Sequence, residues 1–232
     1  MSAMKSFADS FYQNFIKDNR FEYILTGLGN TLLVTSLSVL IGILLGFIVA
    51  IIRSTYDKTG RMRLLNAVCN VYLTVIRGTP IVLQLLITYF VIFASVNVSK
   101  VFVAVIAFGI NSGAYVAEII RSGIMSIDNG QFEAGRSLGF SYFQTMVYFI
   151  LPQAFKNVLP ALGNEFVVLL KETSVAGYIA MQDLTKGADI IRSQTYSAFM
   201  PLMMAAAIYL VLVIIFDKLI KNLERRLRNS DH

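Results

Sequence analysis

The chain has 232 residues, of which 56% are apolar and only 15% are charged. Soluble domains carry charge on about 25% of their residues, so this composition indicates a membrane protein and excludes disordered, collagen-like and coiled-coil chains. The single cysteine, Cys69, and the single histidine, the C-terminal His232, leave no set of ligands for a metal site and no Cys–His catalytic pair. The net charge of +6 comes from basic residues that separate apolar segments, so we predict no nucleic-acid partner.

Five long segments with few charges predict five transmembrane helices, because about 20 residues cross a hydrocarbon core as a helix. These segments cover approximately residues 23–52, 64–98, 101–120, 153–180 and 193–216. They predict an all-α, polytopic membrane protein whose transmembrane domain, residues 23–220, contacts the lipid bilayer. The second segment contains Arg77, Gly78, Thr79 and Pro80. Because proline has no amide proton to donate, we predict a broken or kinked helix there, with these four residues beside the solute pathway.

Basic residues beside the segments predict the orientation of the chain, since Lys and Arg are enriched at the cytoplasmic ends of spans. They cluster in residues 53–63, after the first segment, and in residues 218–228, after the fifth. Five crossings place both clusters on one side, so we predict an N-terminus outside, a cytoplasmic loop at residues 122–152 and a cytoplasmic tail at residues 217–232. The extracytoplasmic segment, residues 1–22, repeats phenylalanine every four positions, which is typical of a short surface helix or of a disordered tail.

The predicted cytoplasmic loop is polar, but apolar residues return in it every three or four positions. This pattern predicts two short helices joined at Gly139, since glycine accepts the positive φ angle of a tight turn. On periodicity alone, the pattern is equally typical of an ordinary amphipathic surface loop.

Five residues of this loop keep a characteristic spacing: Glu133, Ala134, Gly139, Leu151 and Pro152. They resemble the EAA loop of the membrane subunits of ABC importers, whose pattern is E-A-A, three residues, G, nine residues and I-x-L-P. The chain departs from it at Gly135, where the family usually has alanine, and at Phe149, where it usually has isoleucine. The resemblance implies that the loop docks on a separate ATPase. The implied docking residues are Gln131, Glu133, Ala134, Arg136, Gly139, Leu151 and Pro152.

The resemblance continues over about residues 27–220, in the runs Arg77-Gly78-Thr79-Pro80 with Gln84, Ala114-Tyr115-x-Ala117-Glu118-x-x-Arg121 and Leu170-Lys171-Glu172-Thr173-Ser174. These runs are similar to the polar amino acid uptake branch of the family, which usually has aspartate at the position of Glu172. The resemblance implies a type I importer permease with a five-helix core, in a bacterial or archaeal-type cell membrane. It also implies three partners: a dimer of ABC ATPase subunits, an extracytoplasmic amino-acid-binding protein, and a second permease, either an identical copy or a homologue.

The chain contains no G-x-x-x-x-G-K-[ST] phosphate-binding loop. ATP and Mg²⁺ are therefore expected in the ATPase partner, and we predict no cofactor in this chain.

Polar residues inside predicted spans are candidate solute-binding residues, because charge is costly there and usually faces a cavity or a pathway. In the third span, Asn111, Tyr115 and Glu118 recur at helical spacing and form one polar stripe. Gly113 lies beside them and would let a ligand or a helix approach the backbone. Alternatively, Glu118 simply pairs with Arg121 one turn further on.

In the fourth span, Glu165 is the main candidate, because a buried carboxylate needs a counter-charge and the ammonium group of an amino acid supplies one. An ion pair of Glu165 with Lys171 or Arg77 is the alternative. Asn164 is a second candidate, although asparagine is also typical of helix–helix contacts in a dimer. Further candidates for solute contact are Lys171, Thr173, Ser174 and, one turn after Pro80, Gln84.

The sequence therefore predicts a transport subunit, and not an enzyme, of an ATP-driven importer for a polar or basic amino acid. An ATP-independent carrier or channel that uses the carboxylates of Glu118 and Glu165 is the alternative. A membrane enzyme would need a paired acid and base near one interface, and the only such pair, Asp128 and Glu133, belongs to the loop described above.

Overall fold

The computed structural model of the chain describes residues 2–229, with side chains described for residues 7–227. All regular elements in that part of the chain are helical, which confirms the predicted all-α class. The helices are α1 Ser2–Phe11, α2 Phe21–Thr59, α3 Arg63–Gly78, α4 Ile81–Ile87, α5 Lys100–Met125, α6 Asn129–Ser137, α7 Tyr142–Thr145, α8 Leu151–Glu172, α9 Leu184–Thr195 and α10 Phe199–Asn229. Residues 230–232 of the predicted tail, including His232, lie outside the described residues.

Three of the described helices, α2, α5 and α10, are long and apolar enough to cross a membrane. Between α3 and α4 the chain bends sharply, so that this pair forms one broken span or a re-entrant segment. The predicted break at Pro80 is therefore confirmed. The 22-residue helix α8 is not among these helices, because its polar and charged residues make it less apolar. The count of five spans stays a prediction.

Two predicted span boundaries differ from the helices. The sequence predicts a fourth span that continues to residue 180, but α8 ends at Glu172 and a tight helical turn, Thr173–Ile179, follows. It predicts a fifth span that begins at residue 193, but α10 begins at Phe199. The reason is local: the hydroxyl of Thr195 accepts a hydrogen bond from the amide of Ser197 and so turns the chain between α9 and α10. Residues 193–198 therefore lie outside α10, although they carry no charge.

Within the described residues the chain forms two compact units. The first unit comprises residues 2–38, 81–108 and 167–215. In its core, Gly187 of α9 faces α2 so closely that an added Cβ would overlap the carbonyl oxygen of Tyr23. The hydroxyl of Thr31 accepts a hydrogen bond from the amide of Leu184 at 3.1 Å, which fixes the start of α9. Apolar side chains of Phe15, Ile24, Leu184, Ala188, Ile191 and Ala205 fill this core.

The second unit comprises residues 39–80, 109–166 and 216–229. Its main apolar cluster joins α2, α5 and α8 to the loop that follows α5. The buried members of this cluster are Ala50, Val116, Ile120, Ile124, Phe132, Met146, Ile150, Ala154, Val158 and Leu162. The loop therefore contributes buried side chains to the core of this unit.

Candidate functional site

The loop after α5 folds into the short helices α6 and α7, which we call the coupling pair. Asp128 caps α6 by accepting a hydrogen bond from the amide of Gly130 at 2.6 Å. Ser141 caps α7 through a reciprocal pair of hydrogen bonds with Gln144. Between the two helices Gly139 has φ +85°, a conformation that side-chain-bearing residues resist. The prediction of two short helices joined at Gly139 is confirmed.

Close packing within the coupling pair depends on Gly135, the position where the chain departs from the family pattern. A Cβ at residue 135 would lie 2.6 Å from Cγ2 and 2.9 Å from Oγ1 of Thr145. Phe132 of α6 is buried in the apolar cluster of the second unit. The ammonium group of Lys58, in α2, lies 4.6 Å from the centre of the Phe132 ring and donates a hydrogen bond to Asn129 at 2.5 Å. These contacts attach the coupling pair to α2.

The opposite face of the coupling pair is exposed. Most of the predicted docking residues are exposed, namely Gln131, Glu133, Ala134 and Arg136 of α6, Gly139 between the helices and Pro152 at the start of α8, whereas Leu151 is half-buried. Two large apolar side chains lie on the same short segment, Leu138 with 73% and Phe143 with 72% of their surface exposed. A mixed apolar and charged surface of this kind is suited to contact with another protein.

Glu118, a predicted solute-binding residue, lies among arginines from three helices. Its carboxylate accepts a hydrogen bond from Arg53 of α2 and lies 3.8 Å from Nη1 of Arg77, at the end of α3. Arg121, the expected partner one turn on, is 4.0 Å away and pairs at 3.2 Å with Asp57 of α2. We call these five residues the Glu118 cluster. The expected Glu118–Arg121 contact is present, but it is the longest of three.

The other residues of the predicted stripe on α5 have separate surroundings. Asn111 is buried, whereas Tyr115 is exposed and its ring lies 5.7 Å from the guanidinium carbon of Arg77. At Gly113, an added Cβ would lie 2.9 Å from the hydroxyl of Tyr72 in α3, and that hydroxyl donates to the carbonyl of Ile110 at 2.6 Å. Gly113 therefore admits a neighbouring helix.

Glu165 is buried, with 8% of its surface exposed, and accepts a hydrogen bond from the hydroxyl of Ser112 at 2.9 Å. Sequence reasoning missed Ser112, although a hydroxyl next to Asn111 in an apolar segment was a usable signal. Asn164 precedes Glu165 on the same helix but is exposed and lines a cavity of about 470 Å³. The structure therefore separates two neighbouring candidates onto different faces of α8.

The candidates near the end of α8 lie in the first unit. Lys171 and Ser174 line a cavity of about 310 Å³ together with Thr185, Leu202 and Tyr209. Thr173 is buried, and its hydroxyl donates to the carbonyl of Leu170 at 2.8 Å. This intrahelical bond uses the hydroxyl proton that was expected to contact the solute.

Asp183, which caps α9, was not among the sequence candidates. It is fully buried and accepts backbone hydrogen bonds from Thr185 at 2.9 Å and Lys186 at 3.1 Å. Burial raises the pKa of Asp183, and these amide donors partly oppose that effect. Asp183 holds the start of α9 in place beside the cavity that Lys171 and Ser174 line.

At the break between α3 and α4, Thr79 has extended backbone angles, as expected for a residue that precedes a proline. Its hydroxyl donates to the carbonyl of Val75 at 2.8 Å and so closes the end of α3. Arg77, Gly78, Thr79 and Pro80 are all exposed. Gln84 is half-buried on α4, where its carbonyl accepts a hydrogen bond from Thr88 at 2.7 Å.

These features, polar and charged side chains among mostly apolar helices and an exposed helix pair packed on α2, α5 and α8, are consistent with a membrane component of a transport system. The chain belongs to the family described as "Binding-protein-dependent transport system inner membrane component", which matches residues 23–229. It is therefore a membrane protein of the inner-membrane, binding-protein-dependent class.

Among its relatives, the chain is 39% identical over 211 residues to the "Arginine transport system permease protein ArtQ" of Bacillus subtilis (strain 168), covering 90% of this chain and 94% of the relative. It is also 39% identical over 207 residues to the "Putative glutamine transport system permease protein GlnP" of Rickettsia prowazekii (strain Madrid E), covering 88% and 93%.

Among solved structures, the chain is similar to one described as "Crystal structure of an amino acid ABC transporter with histidines". The identity is 45%, the TM-score is 0.81, and the match covers 89% of this chain and 94% of that one. An inward-facing MetNI methionine ABC transporter matches with a TM-score of 0.77 over 90% and 98% of the two chains, but at 16% identity. That second likeness shows the shared fold alone.

Proposed function

We propose that this chain forms the translocation path of an ATP-driven importer for a polar amino acid, basic or neutral. Its solute is delivered by an extracytoplasmic binding protein and released into the cytoplasm. The observation that carries this proposal is the coupling pair, whose buried residues are part of the core and whose exposed residues include most of the docking residues that the resemblance implies. The named relatives for arginine and glutamine, and the similar amino acid transporter structure, support the class of solute.

Three partners complete the proposed assembly. A dimer of ATPase subunits binds ATP and Mg²⁺ and contacts the coupling pair, so that this chain carries no cofactor and catalyses no hydrolysis. The binding protein contacts the extracytoplasmic side, and a second permease, either identical or homologous, completes the path. In this assembly the chain crosses the membrane five times, with its N-terminus outside, and α8 is the fourth span.

For the solute, we propose contact with Glu165, supported by its burial and its hydrogen bond from Ser112. A carboxylate in a medium of low polarity attracts an ammonium or guanidinium group strongly. Asn111, buried on α5 beside Ser112, supplies a further polar group.

The test is ATPase activity of the complex of this chain with its ATPase and binding protein, reconstituted in liposomes and assayed with each of the twenty amino acids. We expect stimulation by arginine, glutamine, histidine or a close analogue, and a selective loss of that stimulation in Glu165→Gln. A flat response to all twenty would contradict the proposal. Uptake by this chain alone, without ATP, would favour the carrier or channel.

A second arm tests the coupling pair with Gly139→Val, since valine is strained at φ +85° by about 1–3 kcal/mol. We expect the complex to assemble in the membrane but to lose ATP-driven uptake. Gly60→Val is the matched control, because Gly60 also has a positive φ, +69°, and is also free of contacts that a Cβ would disturb. Equal losses in both variants would mean that strain alone, and not docking, explains the effect.

A further inference from the structure

Helix α3 has a packed side and two further sides of different chemistry. On the packed side, Cys69 and Leu73 are buried with Val49, Ala114 and Ala117, which fixes α3 within the second unit. The remaining residues include two sets that follow helical spacing. The polar stripe comprises Asn66, Asn70, Thr74 and Arg77, and the apolar stripe comprises Leu64, Val68, Val71 and Val75.

The two stripes lie on different sides of α3. At about 100° per residue, each stripe covers an arc of about 60–80°, and the centres of the two arcs are about 130° apart. All four members of the apolar stripe have more than half of their surface exposed. In the polar stripe Asn70, Thr74 and Arg77 are exposed, whereas Asn66, next to the packed side, is buried.

A lipid environment accounts for the apolar stripe but not for the polar one. Helix α3 belongs to a broken span or a re-entrant segment. An amide that faces hydrocarbon without a hydrogen-bond partner is costly, and polar side chains within spans therefore usually face water, a polar cavity or another chain. Threonine can satisfy its hydroxyl on its own helix, but the asparagine amide has two donors and an acceptor, which are harder to satisfy there. Asn70 therefore indicates polar surroundings on this side of α3.

We propose that the polar stripe lines the solute pathway, and that Asn70 and Thr74 make hydrogen bonds to the passing amino acid. The stripe leads to Arg77, whose Nη1 lies 3.8 Å from the carboxylate of Glu118 and whose guanidinium carbon lies 5.7 Å from the centre of the Tyr115 ring. The stripe thus continues the polar residues of α5 onto a second helix. This inference rests on the proposed function for the membrane-spanning position of α3 and for the kind of solute.

The chemistry of Asn70 and Thr74 suits a pathway. Amide and hydroxyl groups both donate and accept hydrogen bonds, so these residues complement both the ammonium group and the carboxylate of an α-amino acid. Neutral hydrogen bonds are weaker than those of charged groups, and a pathway needs contacts that are weak enough for the solute to leave. The stripe is therefore suited to passage of the solute and not to tight binding.

The test compares thiol reactivity at neighbouring positions of α3 in a Cys69→Ala background. The variants Asn70→Cys, Val71→Cys, Thr74→Cys and Val75→Cys are each assembled with the ATPase and the binding protein in proteoliposomes, which are permeabilised with alamethicin. A water-soluble methanethiosulfonate reagent then reaches both sides, and it reacts with thiolate, which apolar surroundings suppress. The two valine positions are matched controls, because each lies at nearly the same depth as its polar neighbour but about 100° around the helix.

We expect Asn70→Cys and Thr74→Cys to react at least about tenfold faster than Val71→Cys and Val75→Cys, because each unit of increase in a thiol pKa lowers the thiolate fraction about tenfold. Equal rates in all four variants would overturn the proposal, because both stripes would then face the same medium. Slow reaction at residues 70 and 74 would also overturn it. If cysteines at these positions form a disulfide between two permease chains instead, the stripe is a contact with a second copy and not a pathway.

A second measurement separates the pathway from any other water-filled surface. The complex is modified with an uncharged benzyl methanethiosulfonate before it is reconstituted into sealed liposomes for uptake assays. Modified Asn70→Cys and Thr74→Cys should lose ATP-driven amino acid uptake, whereas modified Val71→Cys should keep it. Full uptake after complete modification at residues 70 and 74 would overturn the proposal. If an amino acid stimulates the ATPase activity of the wild-type complex but these results are not obtained, only the stripe proposal fails. Without such stimulation, the proposed function fails as well.

Discussion

At the scale of single residues, Glu118 owes its surroundings to glycines on α2. An added Cβ at Gly46 would lie 2.6 Å from Val116, and one at Gly42 would lie 2.8 Å from Ser112. The four-residue spacing of these glycines allows α2 to approach α5 closely, and Arg53, 65 positions before Glu118, thereby reaches its carboxylate. The sequence predicts the local contact with Arg121, but a partner so distant along the chain depends on tertiary packing.

The Glu118 cluster gives a prediction about stability. Glu118→Gln leaves three arginines with Asp57 as the only carboxylate of the cluster, and we expect a loss of about 1–2 kcal/mol, because a partly exposed charged hydrogen bond is weaker than a buried one. Arg53→Gln in the Glu118→Gln background should cost less than Arg53→Gln alone. Unfolding is followed by the reaction of Cys69, the sole cysteine and buried, with a thiol-reactive fluorophore. Strictly additive effects would contradict a direct interaction.

The exposed pair Asp217 and Lys221 is the control for this experiment. Its expected coupling energy is about 0.2–0.5 kcal/mol.

At the scale of elements, the coupling pair shows which features of the fold can be predicted from residues close together in the chain. Helical periodicity and Gly139 predict both helices and the turn between them, because these features depend on nearby residues. The packing of α6 on α7 was harder to predict, since alanine and glycine at residue 135 differ by one methyl group. Only the position of Thr145, 2.6 Å from the site of that methyl group, shows why glycine fits here. Glycine at residue 135, where the family usually has alanine, therefore leaves room for the side chain of Thr145.

This contact predicts that the effect of Gly135→Ala changes sign with the residue at position 145. In the wild type, overpacking against Thr145 costs about 1–3 kcal/mol, which outweighs the gain of about 1 kcal/mol from alanine in a helix. A Thr145→Ala background removes the two closest atoms and leaves only Cβ of residue 145, 3.3 Å from the added methyl group, so Gly135→Ala should stabilise the chain there by up to about 1 kcal/mol. Thermal unfolding of the four variants, again reported by Cys69, measures both steps. Destabilisation of similar size in both backgrounds would show that Thr145 is not the obstacle.

At the scale of the whole molecule, hydropathy predicts α2, α5 and α10 well because they are long and nearly uncharged. It predicts the ends of the fourth and fifth segments poorly, because the turns at Thr173–Ile179 and at Tyr196 use uncharged polar residues that a count of charges does not detect. The same polar residues that make α8 a candidate for solute contact, above all Glu165, also lower its hydropathy. A helix that lines a polar pathway is therefore the one that composition is least able to identify as a span.

Whether α8 crosses the membrane decides the five-span topology, and two exposed residues on either side of it in the chain allow a direct test. Leu138 precedes α8, and Tyr196, with 96% of its surface exposed, follows it. In a Cys69→Ala background, we expect Tyr196→Cys to react with a membrane-impermeant thiol reagent in intact cells. Leu138→Cys should react only after permeabilisation, because α8 is the one predicted span between these positions. Reaction of both from the same side would mean that α8 does not cross the membrane and would contradict the five-span topology.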